Sequence, residues 1–203
     1  MNRRSIVAWI AVAALVSGCQ TTSIRSAWFD TDFSGPPLRK IVVSARVGGT
    51  ADSRAVEDAF VGRLRESGVD ALAGHSVRLD DPGLSDAAFE AAVRGSGAQG
   101  LMLVDLLGVD TRTQVSTTMV RGGMGWGRGS WGGISHTTLV PVQQVSQYEL
   151  ATVETKLFQV QTRQLVWAAT TSTFNPRSAA REAPAFAGLI VDQLAERSII
   201  ARK

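Results

Sequence analysis

The chain holds a single cysteine, Cys19, and its position constrains everything downstream. With no second thiol the fold has no internal disulfide available, so packing alone must hold it. Cys19 follows an apolar run of eleven residues, Ile6 to Val16, with Arg3 and Arg4 ahead of the run and Ser17-Gly18 after it. A basic start, a short apolar middle and small residues before a cut have the form of an export signal. A helix that crosses a membrane needs about 20 apolar residues, and this run is far shorter. Residues 1–18 are therefore read as a signal peptide, 19–37 as a tether and extended lead-in, and 38–203 as a single domain.

The four residues Val16-Ser17-Gly18-Cys19 resemble the bacterial lipobox. That resemblance implies cleavage before Cys19 and a lipid, palmitate included, on the new amino terminus. Gln20 stands where an aspartate retains such lipoproteins in the inner membrane. The implied location is the periplasmic face of the outer membrane, with the membrane engaged through lipidated Cys19.

Two of the 21 basic residues, Arg3 and Arg4, lie in the signal, which leaves 19 against 18 acidic ones. A near-neutral body without basic runs interleaved with aromatics has no nucleic-acid footprint.

Gln20 to Arg25 reads as the tether. Trp28, Phe29 and Phe33 precede Gly35-Pro36-Pro37 and are expected to pack on the domain surface, with a membrane-lying role as the sharper alternative. Lys40 to Val47 is a β-branched run suited to a strand covered on both faces. A helix follows, capped by Asp52 or Ser53, with Val56, Phe60 and Leu64 on one stripe and Gly68 at its end. Val69 to Ala73 forms a short edge strand. Ser85 is placed to cap a second helix, with Leu84 and Phe89 as a hydrophobic staple, and Gly95 or Gly97 stops it. Leu101 to Leu107 is the most apolar stretch, hence the central strand. Beyond Gly108, Val109, Thr111, Thr113, Val115 and Thr117 alternate, which predicts a strand leaving the core with one face in water. The chain returns from Thr137 to Val160, turns at Gln161-Thr162-Arg163-Gln164, and runs out from Leu165 to Phe174. Pro184 opens the last helix, with Phe186, Leu189, Ile190, Gln193, Leu194 and Arg197 along one side.

This succession, βαβαβββα, predicts an α/β fold with a mixed sheet ordered 2-1-3-4-5 and helices on both faces. Ser26-Ala27-Trp28, Arg39-Lys40-Ile41-Val42-Val43, Val153-Glu154-Thr155-Lys156-Leu157-Phe158 and Leu165-Val166-Trp167 resemble uncharacterised bacterial envelope lipoproteins with a small α/β domain. The layout is more distantly similar to the amino-terminal domain of TolB, to the curli secretion lipoprotein CsgG and to penicillin-binding-protein activator lipoproteins. Arg163 stands where such proteins usually have a glycine.

The most unusual composition is the insert at 121–134, whose Arg121, Met124, Trp126, Arg128 and Trp131 sit among glycines. Its match to a dinucleotide glycine pattern means little without a following helix to receive a pyrophosphate. The insert is read as a contact surface for membrane or a protein partner, or else as a loop without a role.

Asp80, Asp81 and Asp86 lack the spacing of a calcium loop and are read as turn and cap residues. His75 and His136 lie in separate loops with no triad or metal pattern around them. Asp105, alone in the central strand, is a candidate buried base or a carboxylate bonded to loop amides. Glu154 and Lys156 read as a solvated strand face. No catalytic set, cofactor motif or metal site emerges. The expected role is a non-enzymatic, lipid-anchored periplasmic protein that binds or positions another envelope component. A glycan or small-ligand binder using the loop edge of the sheet is the alternative, and a hydrolase built on Asp105 the third.

Overall fold

A computed structural model describes residues 22–121, 139–176 and 178–201. It is an α/β fold with one six-stranded mixed sheet. The strands are β1 (Thr22–Phe29), β2 (Lys40–Arg46), β3 (Asp70–Ala73), β4 (Gly100–Arg121), β5 (Leu139–Gln159) and β6 (Leu165–Phe174), in the order β1-β6-β5-β4-β2-β3. Helices α1 (Thr50–Glu66), α2 (Asp86–Gly95) and α3 (Ala179–Glu196) complete it. Strands β3, β2 and β4 are parallel, and the rest pair antiparallel.

The five strands expected from sequence stand in the order expected for them. The correction is a sixth. Thr22–Phe29, expected as the end of the tether and a lead-in, is a strand hydrogen-bonded along β6. Threonines hold the two together: the Thr22 and Thr173 hydroxyls bond at 2.9 Å in the interior. Short polar β-branched residues look like a solvated tether, yet they fit a half-buried sheet edge equally well.

Helices cover both faces, as expected. On one, Ile41, Val43, Met102, Val104, Leu157 and Trp167 are buried beneath α1 and α3. Those two helices meet through Phe60 and Phe186, edge to face at 5.2 Å between centroids, a geometry worth about 1 kcal/mol beyond the area it buries. On the other face, Phe89 and Val93 of α2 pack with Val42, Leu72 and Leu101.

The helix ends depart from expectation in two places. Gly49 is the N-cap of α1, with no side-chain bond, so neither Asp52 nor Ser53 caps it. Ser53 instead accepts a bond from the Val47 amide at 3.3 Å. Helix α3 starts five residues before Pro184, capped by Ser178. Pro184 sits on its exposed side, and the buried stripe is Ala183, Phe186, Ala187, Ile190, Val191 and Leu194. Ala183, Ala187 and Val191 complete the buried stripe, so that Leu189 and Gln193 are half-buried at its margin and Arg197 is exposed, a departure from the stripe predicted for them. Ser85 caps α2 by accepting from the Ala88 amide, as read from the sequence.

Two local features organise the ends of the sheet. In the turn between β5 and β6, Arg163 has φ of 60°, a left-handed backbone in which a glycine carries no steric cost. In β4 the register shifts between Leu106 and Gly108, a bulge that inserts Leu107. None of the described helices is long and apolar enough to cross a membrane.

Candidate functional site

Because β2, β3 and β4 run parallel, their carboxyl ends lie at one end of the sheet. There β2 stops at Arg46, paired with Asp105, and β6 stops at Phe174, paired with Leu150. Strands β4 and β5 continue together past this point, pairing as far as Arg121 with Leu139. Residues 111–121 and 139–149 thus form a two-stranded ribbon, roughly 36 Å long at about 3.3 Å per residue. The sequence predicted such a ribbon. β1 begins at the same end, since Thr22 pairs with Thr173 beside Phe174.

This end carries most of the exposed large apolar side chains: Leu107 at 59 %, Val109 at 51 %, Val145 at 63 % and Phe174 at 45 %. Tyr148 lies against Phe174, with ring centroids 4.8 Å apart. An apolar groove of about 200 Å³ opens on the helix side of the ribbon root, between Leu106, Val109, Val153 and Phe186.

At the same end, the crossover through α1 departs from β2 to one side and the crossover through α2 returns over β2 to β4. The point between β2 and β4 is where open α/β sheets place ligand crevices. A cleft of about 610 Å³ lies there, bordered by Arg46, Gly48, Thr50, Ser53, Asp80, Asp81 and Phe89. Two of its lining charges, Arg46 and Asp80, are paired with neighbouring side chains. Asp105 accepts from Arg46 Nε at 2.8 Å, and Asp80 accepts from Arg54 Nε at 3.0 Å and Nη2 at 2.7 Å. The hydrogen bond from the Arg54 guanidinium holds the Asp80 carboxyl below the usual aspartate range, against the opposing effect of desolvation, and the guanidinium charge adds a smaller lowering.

Behind this cleft stands a group that sequence reasoning missed. The Glu57 side chain, on α1, is buried, with the residue 1 % exposed. Its Oε1 accepts from the Ala45 amide at 3.0 Å, and Oε2 accepts from the His75 amide at 2.9 Å and lies 2.7 Å from His75 Nδ1. Asp58 Oδ1 is 3.6 Å from the other ring nitrogen. One carboxylate therefore ties α1, β2 and the 3-10 turn Gly74–Val77 together. The readable signal was a charged residue at helical spacing from Phe60, Val61 and Leu64.

The predicted site residues fall into two groups. Cys19, Met124, Trp126, Arg128, Trp131 and His136 lie outside the described residues, and Arg121 is placed only as the last residue of β4. Asp105 is described, and it corrects an expectation: its partner is the Arg46 guanidinium rather than loop amides. Glu154 and Lys156 pair with each other on a strand face that is half-buried rather than fully solvated. Asp81 Oδ1 accepts from the Gly83 amide at 2.9 Å, the turn duty read from sequence. Among the described residues no group of three histidine, cysteine, aspartate or glutamate side chains is arranged to hold a metal ion.

No family model matches the chain, and no curated protein does either. Solved structures do. The PelC dodecamer from Paraburkholderia phytofirmans is 15 % identical, with a TM-score of 0.46 over 90 % of this chain and 99 % of that one. Lipoprotein GNA1162 from Neisseria meningitidis is 11 % identical, with a TM-score of 0.42 over 77 % of this chain and 98 % of that one. The proteins this chain is similar to thus include a bacterial lipoprotein.

Proposed function

We propose that this is a lipid-anchored envelope protein, held by acylated Cys19 at the periplasmic face of the outer membrane. It carries out no reaction of its own and uses its ribbon and the insert at 121–134 to bind or position another envelope protein. The observation that carries this reading is the position of the chain's only cysteine, at the cut of an export signal, in a lipobox-like context.

Two measurements on one strain set test it. Mass analysis of the natural product should find Cys19 acylated and residues 1–18 gone, and Cys19→Ser should release the protein from the membrane fraction. Crosslinking in intact cells should then capture an envelope protein with the full chain and lose it when residues 121–134 are deleted. An unmodified Cys19, or identical capture with and without the insert, overturns the reading.

A second reading rests on the cleft between β2 and β4, whose position suits a glycan or other small polar ligand. Under it, the acyl-free body co-sediments with purified cell wall, and Asp81→Ala weakens that association. The hydrolase reading has less support, because the Asp105 carboxylate is engaged by Arg46.

A further inference from the structure

We propose that the carboxyl-end rim of the sheet, at Leu107, Val109 and Phe174, rests against lipid headgroups, so that the domain meets the bilayer at the root of its ribbon. The proposal builds on the lipid-anchor reading and adds which surface faces the membrane.

Covalent geometry carries the first step. Three peptide units separate Cys19 from Thr22, and they reach at most about 11 Å. The acylated residue therefore lies within that distance of the point where β1 enters the sheet. Thr22, Thr173, Ala151 and Val109 form one row of cross-strand partners. At about 4.8 Å between strands, Val109 is roughly 14 Å from Thr22 across that row. Phe174 follows Thr173 directly. An acyl chain buried in the bilayer holds the start of β1, and with it this rim, close to the interface.

Chemistry carries the second step. Leu107 is the extra residue of the bulge and is 59 % exposed, two residues before Val109, while Phe174, two strands away on β6, is exposed on the opposite face of the sheet from Val109. Exposed apolar groups gathered at one end of a body mark a contact surface. Arg25 and Arg112 are exposed at the same end, with stems long enough to lie along apolar surface while their heads meet phosphate.

The ribbon itself is excluded from the hydrocarbon. Gln147 and Glu149 lie on the face that carries Val145, and Arg112 lies on the other, so neither face is an apolar band. A bulge bends its strand, and under this proposal the one at Leu107 turns the ribbon to run over the bilayer instead of into it.

In the mature lipoprotein Cys19 is alkylated, so an introduced cysteine is the only free thiol. Leu107→Cys, Phe174→Cys and Gln161→Cys are each labelled with an environment-sensitive fluorophore in the full acylated chain. Gln161 lies in the exposed turn at the opposite end of the sheet. The proteins are reconstituted on vesicles of phosphatidylethanolamine and phosphatidylglycerol. Labels at 107 and 174 should be quenched severalfold less by iodide than the label at 161, and should be quenched by spin-labelled lipid. Val109→Cys gives the same reading if either of the first two variants fails to fold by circular dichroism. Labels at 107 and 174 as open to iodide as that at 161, on protein that floats with the vesicles, overturn the proposal and leave the anchor intact. Shielding from iodide without quenching by lipid means that a second copy or another protein covers the rim, and also overturns it. Acylated protein is confirmed by mass beforehand, so failure of the anchor reading is seen separately, as an unmodified Cys19.

Discussion

Glu57 and Gly74 show how one buried carboxylate dictates its neighbours. A Cβ on Gly74 would stand 2.9 Å from Glu57 Oε1 and 2.9 Å from the Val43 carbonyl oxygen. Neither atom can retreat: the first is hydrogen-bonded to Ala45, and the second belongs to a central strand. Gly74→Ala should therefore destabilise the fold by about 1–3 kcal/mol, the range for overpacking a filled interior. A urea midpoint unchanged from wild type would refute this. Asp80 supplies a pH dependence. Its folded pKa lies below that of the unfolded chain, so the Arg54 pair contributes fully above the ordinary aspartate range and is lost as the pH falls from there to the folded value. The pair is partly exposed and should be worth at most about 1 kcal/mol. Asp80→Asn should thus be slightly less stable than wild type at neutral pH, by a margin that closes on acidification through that window. A margin that stays constant with pH would contradict the assignment.

At the scale of elements, the ribbon is the exception to a well-covered sheet. From 100 to 106 β4 has strands on both sides and helices above and below, whereas 111–121 have only 139–149. Two strands alone are marginal in water. In the free protein, amides of 111–121 and 139–149 should exchange with solvent many-fold faster than those of 100–106 and 151–157, as read by hydrogen exchange. Equal protection would mean that the ribbon is covered by something in solution. Periodicity announced this ribbon, because alternation of threonine and valine is a local signal. β1 was harder to read for the same reason: Thr22, Ser23 and Ser26 carry no apolar alternation, and what makes them a strand is the threonine row of β6 beside them. Helix α3 lies between these cases. Its apolar character was plain, but its start at Ala179 follows from the Ser178 cap, and its buried stripe includes Ala183 and Ala187, whose small side chains give little apolar signal.

Taken as a whole, the body is a layered α/β unit built without covalent cross-links. One contiguous core runs from Leu38 through α1, the sheet and α3 to Ile200, and a smaller one lies under α2. The ends of the chain are drawn in: the Leu38 amide donates to the Ile199 carbonyl at 2.8 Å, which closes the last residues onto the start of β2. The acyl-free body should therefore melt at the same temperature with and without a thiol reductant. A shift on reduction would reveal a covalent constraint that a chain with one cysteine cannot form internally.

The sequence by itself determined the single thiol, the order of five strands, the caps and turns at Ser85 and Asp81, and the existence of the ribbon. These are properties of short windows, read from local spacing and residue type. Tertiary structure alone decided that residues 22–29 join the sheet, that Asp105 faces Arg46, that Glu57 is buried beneath His75, and that β1 begins at the root of the ribbon. Each of these depends on partners far apart in the chain, whose pairing is set by which surfaces are left to cover once the strands have assembled.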